Sequence, residues 1–182
     1  ILCDNTPFVL LAPATFLSLF QTPEDYFERW YIVSLIRLLR FAAAILAFTF
    51  PALYIAMTTY HPGMIPSDLA LSIAATREGV PFSAVMETLI MVLSLEILRE
   101  AGVRLPGPIG QTIGIVGGLV VGEAAVRASI VSPIMVIIVA VNAISSFAIP
   151  NYSMAIGFRL ITFIFIGLAT IAGLYGIMLG LI

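Results

Sequence analysis

Charged residues are few in this chain, and where they interrupt apolar runs they mark the places where chemistry can occur. Glu87 lies inside VPFSAVMETLIMVLSLEILREAGVR, residues 80 to 104. A carboxyl in such a setting either belongs to a hydrogen-bonded framework or binds an ion or a proton. Glu96 and Glu100 stand one turn apart near Arg99 and read as a solvated cluster at the end of the same segment. Further on, Glu123 and Arg127 occupy positions i and i+4 in the favourable order for a pair within one helix. Asn142, with Ser145 and Ser146, makes a polar spot in IVSPIMVIIVAVNAISSFAIP, where an amide bonds to a neighbouring helix or meets a substrate.

Signals for enzymes are poor. The sole histidine, His61, sits in a Pro-Gly turn with no cysteine or acid beside it, so spacing builds neither a metal site nor a histidine relay. There is no GxGxxG, HExxH or GxSxG. All eight basic residues are arginine, which excludes Schiff-base chemistry and a P-loop lysine. The expectation is a protein that is not an enzyme, with no cofactor and no metal. The single cysteine, Cys3, cannot close an internal disulfide. A formal charge of -2 gives no sign of nucleic-acid binding.

Composition sets the medium in which these residues work. Of 182 residues, 61% are hydrophobic and 10% charged, and the mean hydropathy is +1.14; about a quarter of a soluble domain is charged. The chain therefore reads as an all-α, polytopic membrane protein. It begins without methionine and carries no basic stretch ahead of its first apolar run, so no signal peptide is expected and a piece of a longer protein is.

Residues 1 to 40 read as an interfacial segment and lead-in helix, and residues 41 to 182 as a transmembrane helical domain. Pro7 and Pro13 break the first apolar stretch. Thr22-Pro23-Glu24-Asp25 has the chemistry of a helix start, with a capping hydroxyl, a proline in the first turn and acids near the dipole's positive end. A helix from there should enter the membrane. Tyr26, Trp30 and Tyr31 beside Arg29, Arg37 and Arg40 suit the headgroup zone. No charge follows from Phe41 to Tyr60, enough to reach across about 30 Å of hydrocarbon, with a kink expected near Pro51. Ser67-Asp68 should open a short amphipathic helix through Glu78.

Segments at 80–104, 105–126, 130–149 and 160–182 complete a count of about five. If the N-terminus is cytoplasmic and each segment crosses once, Arg29, Arg37, Arg40, Arg99, Arg104 and Arg159 fall inside and only Arg77 and Arg127 outside, as the positive-inside rule favours.

One of these segments has an unusual pattern. Gly110, Gly114, Gly118 and Gly122 are three overlapping GxxxG units, gathered in a sector of about 120° and joined by Gly117 and Ala125. Bare backbone on one helix face permits close approach to a neighbour. The opposite face carries Thr112, Val116, Leu119, Glu123 and Arg127 within about 80°. If several copies nest along their glycine faces, this second face lines a shared axis, with an apolar constriction and a charged mouth of the kind ion pathways use. The alternative is a helix-packing seam ending in a structural ion pair.

Residues 95 to 152, with TPEDYFERW and LIRLLRF earlier in the chain, resemble the membrane region of the spore germination receptor A subunits. The resemblance covers nearly the whole chain. It implies a multi-pass protein of the spore inner membrane that works with B and C subunits and assembles into a ring of five, passing ions when nutrients are sensed. A large cytoplasmic domain precedes this region in that family, and the nutrient pocket is attributed to the B subunit, so no ligand residue is carried over. The leading expectation is a nutrient-gated channel subunit. The alternatives are a secondary transporter of ions or amino acids, coupled through Glu87, and a membrane scaffold for partner subunits.

Overall fold

The computed structural model describes residues 15–104 and 107–182, and the side chains of 107–113, 115 and 116 are outside the description. The described residues fold into helices: α1 (Trp30–Ile55), α2 (Ser67–Arg77), α3 (Ala84–Arg104), α4 (Gly107–Arg127), α5 (Pro133–Phe147) and α6 (Tyr152–Leu181). The last residues of the first apolar run, Ala56–Tyr60, wind as a π-helical extension of α1. It follows Pro51, whose ring leaves the helix one N–H short.

Contacts between side chains fix the direction of every long helix. Along α1 and α6, Phe48 stacks on Phe158 at 5.4 Å, Thr162 donates to the Ala47 carbonyl at 3.3 Å, and Tyr60 donates to the Thr170 carbonyl, so the two run parallel. α5 runs against them: the Asn142 amide donates to the Ala47 carbonyl, whereas Ser132, ten residues earlier, lies by Tyr54. α3 follows α5, with Glu87 against Ser132 and Arg99 over the Phe147 ring. α4 reverses again, with Gly117 against Leu98 and Gly122 against Val136.

The five long helices therefore alternate in direction along the chain. Arg29, Arg37, Arg40, Arg99, Arg104 and Arg159 lie toward one end of the bundle and Arg77 and Arg127 toward the other.

The core lies among α1, α3, α5 and α6, where Ile55, Met135 and Ile166 are wholly buried and Ala52 and Ala169 let the helices close up. Among the described residues, two helices are long and apolar enough to cross a membrane by length and composition, Trp30–Tyr60 and Tyr152–Leu181. α5 is apolar but shorter. The expected five segments correspond to five helices, of which two meet that measure.

Two expectations are corrected. Thr22-Pro23-Glu24-Asp25 does start a helix, but only a single 3₁₀ turn over Pro23–Tyr26; Arg29 is extended (φ -66, ψ 134) and the long helix starts at Trp30. The cap signal is consumed locally. Asp25 accepts from the Thr22 N–H at 3.2 Å and from Arg40 and Arg37 at 2.8 and 3.2 Å, which turns it inward and pins the lead-in segment to α1.

The last apolar run is likewise not one straight helix. At Gly173 the backbone leaves the helix (φ 58, ψ -136), and a Cβ on Gly180 would meet Leu168 and Phe165, residues more than three turns away in a straight helix. The chain folds back there, so the uninterrupted part of α6 is residues 152 to 172, about 31 Å long. Glycine is needed at 173: its φ is positive, and a side chain would press on the Tyr60 ring at 3.0 Å.

Candidate functional site

α4 sits at the margin of the bundle, resting on α3 and touching α5. Its direction and rotation decide which of the two sequence-predicted faces remains open. Gly117 is directed at Leu98 of α3, Gly122 is buried against Val136 of α5, and Gly114 lines a cleft between those two helices. At Gly117 and Gly122 the bare backbone meets neighbours within the chain, where nesting against another copy was expected. Gly114 and Gly118 have open space before them, and Gly110 is outside the described side chains.

On the far face Leu119 is 69% exposed, and Glu123 and Arg127 are exposed and paired at 2.6 Å. Thr112 and Val116, which share that face by helical rotation, lie outside the described side chains. An open i,i+4 pair contributes little to stability. A helix whose second face carries an aligned acid and base without burying them is available to solvent or to another copy.

α4 ends in a left-handed turn: Ile130 N–H reaches back to the Ala125 carbonyl at 2.9 Å, with Ser129 at φ 53. That is the residue position at which helices usually place glycine.

Glu87 is fully buried at the start of α3, where α1, α2 and α5 meet. One of its oxygens accepts both the backbone N–H and the hydroxyl of Ser132, each at 2.5 Å, and the other faces Arg77 Nε at 3.6 Å. Ser132 caps α5 and is itself wholly buried. The carboxyl thus joins the short helix α2 to the start of α5. The sequence marked Glu87 by its apolar setting; its partners, 10 and 45 residues away, carried no signal of their own.

Asn142, the other buried polar residue expected, donates to the Ala47 carbonyl and ties α5 to α1. Glu96 departs from expectation. It bridges Arg99 on its own helix at 3.4 Å and Arg159 on α6 at 3.3 Å, and the Arg159 contact, 63 residues away, was not foreseen. Only Glu100 matches the solvated reading, in an exposed pair with Arg104 at 2.7 Å.

These features define a class: a helical, membrane-type bundle with alternating helices, buried charges held in ion pairs between elements and an exposed, charged face on α4. The chain belongs to the family described as Bacillus/Clostridium GerA spore germination protein, which it matches over residues 1–182. It is 58% identical to spore germination protein GerLA of Bacillus cereus over 182 residues, all of this chain and 37% of that protein. To spore germination protein KA of Bacillus subtilis (strain 168) it is 55% identical over 182 residues, all of this chain and 34% of that protein. The membrane protein YfkQ of the same strain is 52% identical over 182 residues, all of this chain and 36% of that protein. The chain thus spans about a third of the length of these relatives. No solved structure matches it.

Proposed function

We propose that this region is the membrane part of a nutrient-responsive germination receptor subunit, in which α4 of several copies lines a shared ion path. α1, α3, α4, α5 and the 152–172 part of α6 each cross the spore inner membrane once, with the arginine-rich end cytoplasmic. B and C receptor subunits are its partners, and the copies form a ring, five being the number the family resemblance implies. The observation that carries this reading is the exposed face of α4, where Leu119, Glu123 and Arg127 remain open while Gly117 and Gly122 hold the helix to its own bundle. That arrangement frees one face for a wet axis. An apolar ring at 116 and 119 followed by a charged ring at 123 and 127 is a gate by dewetting and a selectivity element in series.

The test is a size series at Val116 and Leu119, replacing each by alanine and by tryptophan. Alanine should raise spontaneous ion release and tryptophan should block nutrient-triggered release, both measured in spores at equal protein levels. Unchanged release in all four variants contradicts the pore assignment.

A further inference from the structure

Where α3 meets α6, two guanidiniums share one carboxylate. Glu96 accepts from Arg99 Nη1 at 3.4 Å and from Arg159 Nη1 at 3.3 Å, both long for charge-assisted hydrogen bonds. The side chains of Arg99 and Arg159 are only 10% and 17% exposed. Among the described residues, Arg99 Nε and Nη2 and Arg159 Nε have no hydrogen-bond partner. The next acid along α3, Glu100, is engaged by Arg104. Asn142 and Ser146 from α5 and Thr162 from α6 face the cluster and are neutral. α1 offers the Ala47 carbonyl, which already accepts from Asn142 and Thr162. Two positive charges and one negative leave a charge of +1 that no described residue neutralises. Arginine does not relieve this by losing its proton, and a guanidinium in apolar surroundings calls for an anion.

The same two arginines line a cleft of about 750 Å³ between α3, α4, α5 and the start of α6. Its other walls are mainly apolar, among them Leu95, Leu98, Val103, Phe147 and Ile149. The cleft is of ligand size and opens at the arginine-rich end of the bundle, where basic pockets between helices receive lipid headgroups. A free phosphate satisfies the guanidiniums but leaves these apolar walls uncovered. An amphiphile satisfies both.

We propose that Arg99 and Arg159 bind the phosphate of an anionic phospholipid whose acyl chain occupies the cleft between α3 and α5. The site rests on the membrane placement of the chain and is independent of whether α4 lines a pore.

The experiment uses the full-length protein purified in detergent, with native mass spectrometry reading retained lipid on the folded population. Phosphatidylglycerol and phosphatidylcholine of identical acyl chains are compared, with inorganic phosphate as competitor. Phosphatidylglycerol should bind at least tenfold more tightly than phosphatidylcholine, and Arg159→Gln should erase that difference. Arg159→Lys, which keeps the charge but not the fork, should retain part of it. Ala143→Phe, which fills the cleft and leaves both arginines in place, should weaken phosphatidylglycerol binding as well. Equal binding of the two lipids, or an unchanged preference in Arg159→Gln, overturns the site. Displacement of the lipid by inorganic phosphate at equal concentration overturns the lipid assignment in favour of a free anion. Since Leu119 and Glu123 take no part, failure here leaves the pore proposal standing, and the reverse is also true.

Discussion

Replacing Glu87 by glutamine keeps the size of the side chain and removes its charge, which makes it a direct probe of the junction between α2, α3 and α5. In the native protein the carboxylate is fully buried and accepts two hydrogen bonds from Ser132 at 2.5 Å while facing Arg77, whose side chain is 22% exposed. A glutamine oxygen still accepts from Ser132, but as a neutral acceptor, and its amide N–H₂ is directed at a guanidinium. Breaking a buried pair from one side costs about 3–5 kcal/mol. The partial exposure of Arg77 and the surviving Ser132 contacts bring the expected loss toward the low end, about 3 kcal/mol.

For a chain of this size that corresponds to a fall of roughly 6–12 °C in Tm. Thermal unfolding of the purified protein in detergent measures it. Arg77→Gln alone should cost at least as much, because it leaves the fully buried Glu87 carboxylate with no counter-charge and only Ser132 to hold it. The double variant should be less destabilised than the sum of the singles by about 1–3 kcal/mol. A Glu87→Gln protein melting within about 2 °C of the native one, or strictly additive singles, would refute the reasoning that the carboxylate is a charged structural tie.

Three further outcomes follow from the fold. The guanidinium of Arg40, with Arg37 and the Thr22 N–H, holds the Asp25 carboxyl well below its ordinary value of 3.8. A lowered carboxyl contributes stability that is present above the ordinary value and lost as pH falls through the folded one. Asp25→Asn should therefore destabilise the protein by about 2 kcal/mol at pH 7, and the difference from the native protein should shrink as acid unfolding is followed below pH about 4. Gly173→Ala meets both a positive φ and the Tyr60 ring, and should cost about 2 kcal/mol or more in the same thermal assay. Ser129→Gly relieves a left-handed serine after α4 and should stabilise by up to about 1 kcal/mol, read as a rise in Tm.

The helices of this protein were legible because charge is so scarce that the apolar runs stand out. Glu87 and Asn142 were legible for the same reason, as polar atoms inside apolar runs. What was not legible depends on contacts far along the chain. The helix-start chemistry at Thr22 is genuine, but Arg37 and Arg40 draw Asp25 inward and end the turn after Tyr26. Gly173 looks like any glycine of a membrane helix until Tyr60, 113 positions earlier, is found beside it. The bridge from Glu96 to Arg159 is likewise invisible in either local sequence, and with it the unbalanced charge beside the cleft. The glycine series of α4 marks a face of bare backbone, but spacing alone does not say which neighbour fills it: Leu98 and Val136 of the same chain do so at Gly117 and Gly122, while Gly114 and Gly118 have open space before them.

The central claim, that the exposed face of α4 borders water on an ion path, is tested most directly by a cysteine introduced at position 119, read against the same receptor without it. If Leu119 lines the path, a charged, membrane-impermeant thiol reagent reacts with Leu119→Cys in the assembled receptor and blocks nutrient-triggered ion release. Labelling only by a lipid-soluble reagent, with ion release unaffected, places that face against lipid and contradicts the account.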